Sequence, residues 1–152
     1  MKNDKVIKAL NTLIIINNDR ITGYEIALNA TEELDLKALF SQFILTSQKN
    51  KEKLVKEVKA LGGKVFNGTK PSGQFFRVWV DVKATLTSRD RRAILNSCDY
   101  GEDSAKETYD YAIINEFKHL SSKHKTMIAA QQSLLKKDHL YIKTMRDALV
   151  DA

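Results

Sequence analysis

Residues 62–73 read GGKVFNGTKPSG and hold four of the chain's six glycines together with its one proline. Glycine leaves the backbone too free for a regular element and proline removes a donor, so this stretch ends any helix that reaches it. It is the one strong punctuation in 152 residues. On both sides of it apolar residues recur at helical spacing, and no sustained two-residue alternation competes with them. The chain therefore reads as all-α.

Working back from the break, a helix over about 31–61 carries Leu36, Leu39, Phe40, Phe43, Leu54, Val58 and Leu61 and stops at Gly62 and Gly63. Thr31 is its expected N-cap, with Glu32 and Glu33 at the positive end. Before it, about 3–29 forms a first helix with Val6, Ile7, Leu10, Leu13, Ile14, Ile21, Tyr24 and Leu28 on one side. The tight connection makes these two an antiparallel hairpin. Working forward, a short apolar helix over 74–86 carries Phe75, Phe76, Val78, Trp79 and Val82 and should pack on the bundle. A third long helix starts near Ser88 with Ile94, Leu95, Cys98, Ala105, Tyr109, Ala112 and Ile113. After a break at Leu120, Ser121 and Ser122, a fourth carries His124, Ile128, Leu135, Ile142, Met145 and Leu149. Each long helix spans about 40 Å, a length that a crossover of roughly 25 residues can travel and a short loop cannot. Two hairpins joined by one long crossover is the arrangement expected, as a single domain over 1–152.

Composition narrows the classes. A chain with 43% hydrophobic residues can bury a core without staples. The lone Cys98 cannot form an internal disulfide or supply a four-thiolate site, which fits a reducing, cytoplasmic setting. Asp4 ahead of the first apolar run, with no small-residue cleavage site after it, argues against a signal peptide. No run approaches the roughly 18 to 20 apolar residues of a membrane span. The net charge of +6 raises a nucleic-acid partner, but Glu52 and Glu57 interrupt the lysines at 49, 51, 53, 56 and 59, and Asp90 interrupts the arginines at 89, 91 and 92. Interspersed acids favour solvated faces over a nucleic-acid track.

The segments LNTLIIINNDRITGYEIAL (10–28), DLKALFSQF (35–43) and WVDVKATLTSRDRRAILNSCDYGEDSAKETYDYAI (79–113) resemble a bacterial family of ferritin-like four-helix-bundle proteins of unknown function. Its most specific pieces here are Trp79-x-x-x-Lys83 running into Ala93-Ile94-Leu95, and Cys98-x-x-Gly101-Glu102-Asp103. The resemblance covers nearly the whole chain. It implies the fold and a stress-response association, and no agreed activity. In that family a cysteine is common at the position aligned with Asn17, which weakens a thiol-based chemistry here.

Ferritin-like dinuclear centres take a glutamate from each of two helices and Glu-x-x-His from each of the other two. Glu25 and Glu102 stand in the right helices for the first requirement. The second fails, because Val55 follows Glu52 at i+3, the last helix has no glutamate, and adjacent Asp138 and His139 diverge by about 100°. The literal pair Glu116 and His119 falls at the end of the third helix, beside a break, where chance explains it. An atypical iron or manganese site built from Glu25, Glu102 and His139 is the alternative reading, as a metal-binding or oxidoreductase-like bundle. Polar residues also fall where packing wants apolar ones: Asn17, Tyr24, Ser47, Asn50, Glu102, Gln131, Gln132 and His139. Buried polar groups must be partnered, so this belt is expected to be a mutually bonded network more than a ligand site. Glu102 should find its donors in Tyr24, Asn17 and Gln131. Cys98 reads as a small core residue and the Phe75, Phe76 and Trp79 group as packing. The favoured function is a non-enzymatic or vestigial bundle with no resident cofactor, acting through assembly or partner contact, with homo-oligomers, dimers included, expected.

Overall fold

The computed structural model describes residues 2–66, 91–116 and 118–149, and these form four long helices with no strand among them. The helices are α1 (Lys2–Ala30), α2 (Leu34–Ala60), α3 (Arg91–Glu116) and α4 (Ser122–Asp147). The expected crossover helix over 74–86, with Trp79, lies outside the described residues, as does the stretch from Ser88 to Asp90 where the third helix was expected to begin. Among the described residues no helix is long and apolar enough to cross a membrane.

Both ends of α2 and the start of α4 have local causes. Thr31 is not the cap expected of it: Glu33 occupies the N-cap position of α2, and the Thr31 hydroxyl accepts from the Glu33 amide at 3.2 Å, closing the turn one step earlier. The far end of α2 is a Schellman motif, with Gly63 N–H donating to Val58 O at 2.9 Å and Gly62 N–H to Lys59 O at 3.0 Å. Gly62 takes φ +76°, which a side chain would resist. At Gly63 a Cβ would come within 2.8 Å of Ile7, so glycine lets the end of α2 close on α1. Ser121 caps α4, accepting from the His124 amide at 3.1 Å.

In each helix one run of buried positions, with residues such as Ile14, Val58, Ile94 and His139 buried beside it, keeps alternating steps of three and four, the spacing of a bundle seam. In α1 they are Val6, Leu10, Leu13, Asn17, Arg20, Tyr24 and Ala27, and in α2 Leu36, Phe40, Phe43, Ser47, Asn50, Leu54 and Glu57. In α3 they are Leu95, Cys98, Glu102, Ala105, Tyr109 and Ala112, and in α4 His124, Ile128, Gln131, Leu135, Asp138 and Ile142. Polar slots fill the middle of the bundle and apolar slots most of the rest, with the Glu57 and His124 pair as the polar exception at one end.

Contacts fix the directions. As α1 runs from Asn17 to Arg20, its partners on α3 run back from Tyr109 to Glu102, so the two are antiparallel. Glu57 meets His124 while Ser47 and Asp138 share Arg20, which makes α2 and α4 antiparallel as well. Arg91 at the start of α3 bonds Glu33 and Asp35 at the start of α2. Hence α2 and α3 run the same way, and the end of α2 and the start of α3 lie at opposite ends of the bundle. The α1–α2 and α3–α4 hairpins pack along their lengths, whereas α2 and α4 barely touch.

Candidate functional site

The middle of the bundle holds two stacked polar layers, each taking one residue from every helix. In the first, Arg20 is fully buried and its guanidinium grips Glu102 in a bidentate pair along one edge, Nε to Oε1 at 2.7 Å and Nη2 to Oε2 at 2.9 Å. Nη2 also reaches Asp138 Oδ2 at 3.3 Å, and Nη1 donates to the Ser47 hydroxyl. The guanidinium carbon lies 5.3 Å from the centre of the Tyr24 ring, which itself packs on Phe40 and Phe43. Burial works against the charge on Arg20, but the Glu102 carboxylate, with Tyr24 and Asp138, outweighs it and raises the guanidinium above its ordinary range. One cation faces two acids. Burial, reinforced by the neighbouring Glu102 charge and opposed by Arg20, pushes Asp138 up to about 6.

The second layer is a closed circuit. Asn17 Nδ2 donates to the Tyr109 hydroxyl at 2.7 Å and to Leu13 O at 2.8 Å. Tyr109 donates to Gln131 Oε1 at 2.8 Å, Gln131 Nε2 donates to Asn50 O at 3.2 Å, and Asn50 Nδ2 returns to Asn17 Oδ1 at 3.5 Å. Burial raises the Tyr109 phenol above its ordinary range, so it stays a neutral donor and acceptor.

Two further clusters flank these layers. Glu57 pairs with His124 at 3.1 Å and Lys123 at 3.3 Å; burial works to raise its carboxyl, but the hydrogen bonds from Lys123 and His124 outweigh it and hold the group below the ordinary range. On the α3–α4 side, His139 Nε2 stands 2.6 Å from Asp99 Oδ1 and 3.8 Å from Asp103 Oδ1, while Arg146 bonds the other Asp99 oxygen. Burial works against ionised Asp99, yet His139 and Arg146 keep its carboxyl below the usual range. Asp99, Asp103 and His139 are the one group of three or more His, Cys, Asp or Glu among the described residues whose ligand atoms come within 4.8 Å of one another. Between α2 and α4, where the helices part, a groove of about 440 Å³ is lined by Asp35, Leu39, Phe43, Leu134, Asp138 and Tyr141, among others.

Asn17, Asn50 and Gln131 meet around Tyr109, a residue that the sequence suggested only as apolar filling. Gln132 is half-buried and donates to Asp110, and Tyr24 lies beside the guanidinium. Asn17 and Gln131 do not serve Glu102 as expected, because Arg20 already satisfies both of its oxygens. Of the three residues proposed for an atypical metal site, Glu25 is exposed, Glu102 is in the grip of Arg20, and His139 faces Asp99. Cys98 is fully buried, and burial followed by the Glu102 charge raises its thiol, as an inert core residue requires. The residue missed outright is Arg20. Its signal was positional: Leu13, Asn17, Arg20 and Tyr24 keep the four-three-four step of the seam.

Residues 5–115 match a family model described as Domain of unknown function (DUF2383). No curated protein matches the chain.

Proposed function

The chain belongs to the DUF2383 family, and because that description assigns no activity, we propose from the geometry a ferritin-like bundle whose interior is structural and which acts by self-association. The observation that carries this is Arg20. In a ferritin-like protein the middle layer holds the metal ions between carboxylates and histidines. Here the corresponding slots hold a guanidinium, a hydroxyl, Glu102 and Asp138. A metal ion in that layer would have to displace a fully buried arginine from both acids, so the donor set does not fit a dinuclear centre. The layer already contains its cation.

The outer surface then carries the function, as in a cytoplasmic, stress-associated protein that works by contact. Its groove between α2 and α4 has apolar walls at Leu39, Phe43 and Leu134. Tyr141, 50% exposed, stands on the α4 rim of that groove, and Leu140, 63% exposed, carries the apolar surface of α4 beyond it. One chain thus offers both an apolar ridge and an apolar groove, and a two-fold axis would seat the α4 ridge of each copy in the groove of the other. Sedimentation velocity over a wide concentration range should show a dimer that Tyr141→Glu converts to a monomer with unchanged helical content. A wild-type chain that stays monomeric throughout would refute the proposal.

A further inference from the structure

We infer that Asp99, Asp103 and His139 form a binding site for a single divalent transition-metal ion on the α3–α4 flank, independent of the central charge layer. Asp99 and Asp103 are one turn apart and so project from the same face of α3. His139 comes across from α4 with its side chain only 8% exposed, which fixes the imidazole where the carboxylates converge. An ion with bonds of about 2.1 Å to imidazole nitrogen and carboxylate oxygen holds neighbouring donors roughly 3.0 to 3.4 Å apart. The His139–Asp99 separation of 2.6 Å and the His139–Asp103 separation of 3.8 Å straddle that range, so small side-chain movements in opposite senses complete the site.

Each donor has a distinct part. His139 Nε2 donates its proton to Asp99 Oδ1, since an ionised carboxylate can only accept, and the metal takes the place of that proton. Arg146 occupies the other Asp99 oxygen, orienting the carboxylate without using Oδ1. Asp103 is 57% exposed and free to close on the ion, with water filling the outer positions. Two carboxylates and one imidazole suit zinc, manganese or ferrous iron rather than a soft or purely oxygen-bound cation. The pairing of Asp99 with Arg146 is compatible with this, because that guanidinium lies at the surface and touches only one oxygen.

Chelator-treated protein titrated calorimetrically with zinc, and separately with manganese, should bind one ion per chain, zinc the more tightly. Asp103→Asn should weaken zinc binding at least tenfold and leave the melting curve of the metal-free protein unchanged. His139→Gln should abolish binding, and Arg146→Ala should keep the stoichiometry. Absence of binding by the wild-type chain would overturn the assignment, as would undiminished zinc affinity in Asp103→Asn, which would place any bound ion elsewhere.

Discussion

Arg20→Met would leave Glu102 and Asp138 buried beside each other with no cation, and removing one partner of such a cluster costs about 3 to 5 kcal/mol. Chemical denaturation should record that loss. Adding Glu102→Leu should return most of it, since only one acid then remains and it can take up a proton; losses that simply add would show that the two side chains are not coupled. Asp138 carries the pH dependence of this layer. Its folded value is about 6 against an ordinary 3.8, so the folded state holds the proton more tightly than the unfolded chain. The stabilisation is fully present below the ordinary value and is lost as pH rises through 6. Asp138→Asn mimics the protonated acid. It should match the wild type near pH 4 and exceed it at neutral pH by about 1 to 3 kcal/mol, read as the difference between their melting curves. In the neighbouring layer, Tyr109→Phe strands the Asn17 amide and Gln131 oxygen and should cost about 1 to 3 kcal/mol.

At the scale of elements, the close of the first hairpin depends on two glycines with different duties. Gly62→Ala should cost about 1 kcal/mol through its left-handed backbone. Gly63→Ala should cost about 1 to 3 kcal/mol through overlap with Ile7, whose Cγ2, Cδ1 and Cγ1 atoms would lie 2.8 to 2.9 Å from the new methyl group. Trimming Ile7 to alanine should then make Gly63→Ala nearly neutral. A penalty that persists in the double variant would locate the strain in the backbone instead. The hairpin lengths themselves were readable because the helical period runs unbroken up to the Gly62–Gly63 pair and again up to Ser121. The cap at Thr31 was not readable, since a threonine that closes a turn and one that caps a helix look alike until the backbone direction is known.

For the whole molecule, a net charge of +6 would suggest a polyanion partner if its cations were unengaged. Among the described residues all three of Arg20, Arg91 and Arg146 are engaged, with Glu102, Asp35 and Asp99, and Lys123 and Lys106 face Glu57 and Asp110. Duplex DNA should therefore bind no tighter than about 1 µM at physiological salt, with a shallow salt dependence. A steep slope in a fluorescence titration would mean that lysines on several helices align into a track.

The sequence by itself determined four helices, their pairing into hairpins and the presence of polar residues along the seam, because these depend on periodicity and punctuation within a few neighbours. Only the tertiary structure decided what those polar residues do. Glu102 and Asp138 lie 82 and 118 positions from Arg20, and nothing local to any of the three reveals that they meet. An arginine on a helix ordinarily reaches solvent with its charge while its stem covers apolar surface. It stays inside here because the antiparallel register of α1 with α3 sets Glu102 along one edge of its guanidinium while α4 brings Asp138 and α2 brings Ser47, and a charge in a low-dielectric interior is held only by partners that the fold brings to it.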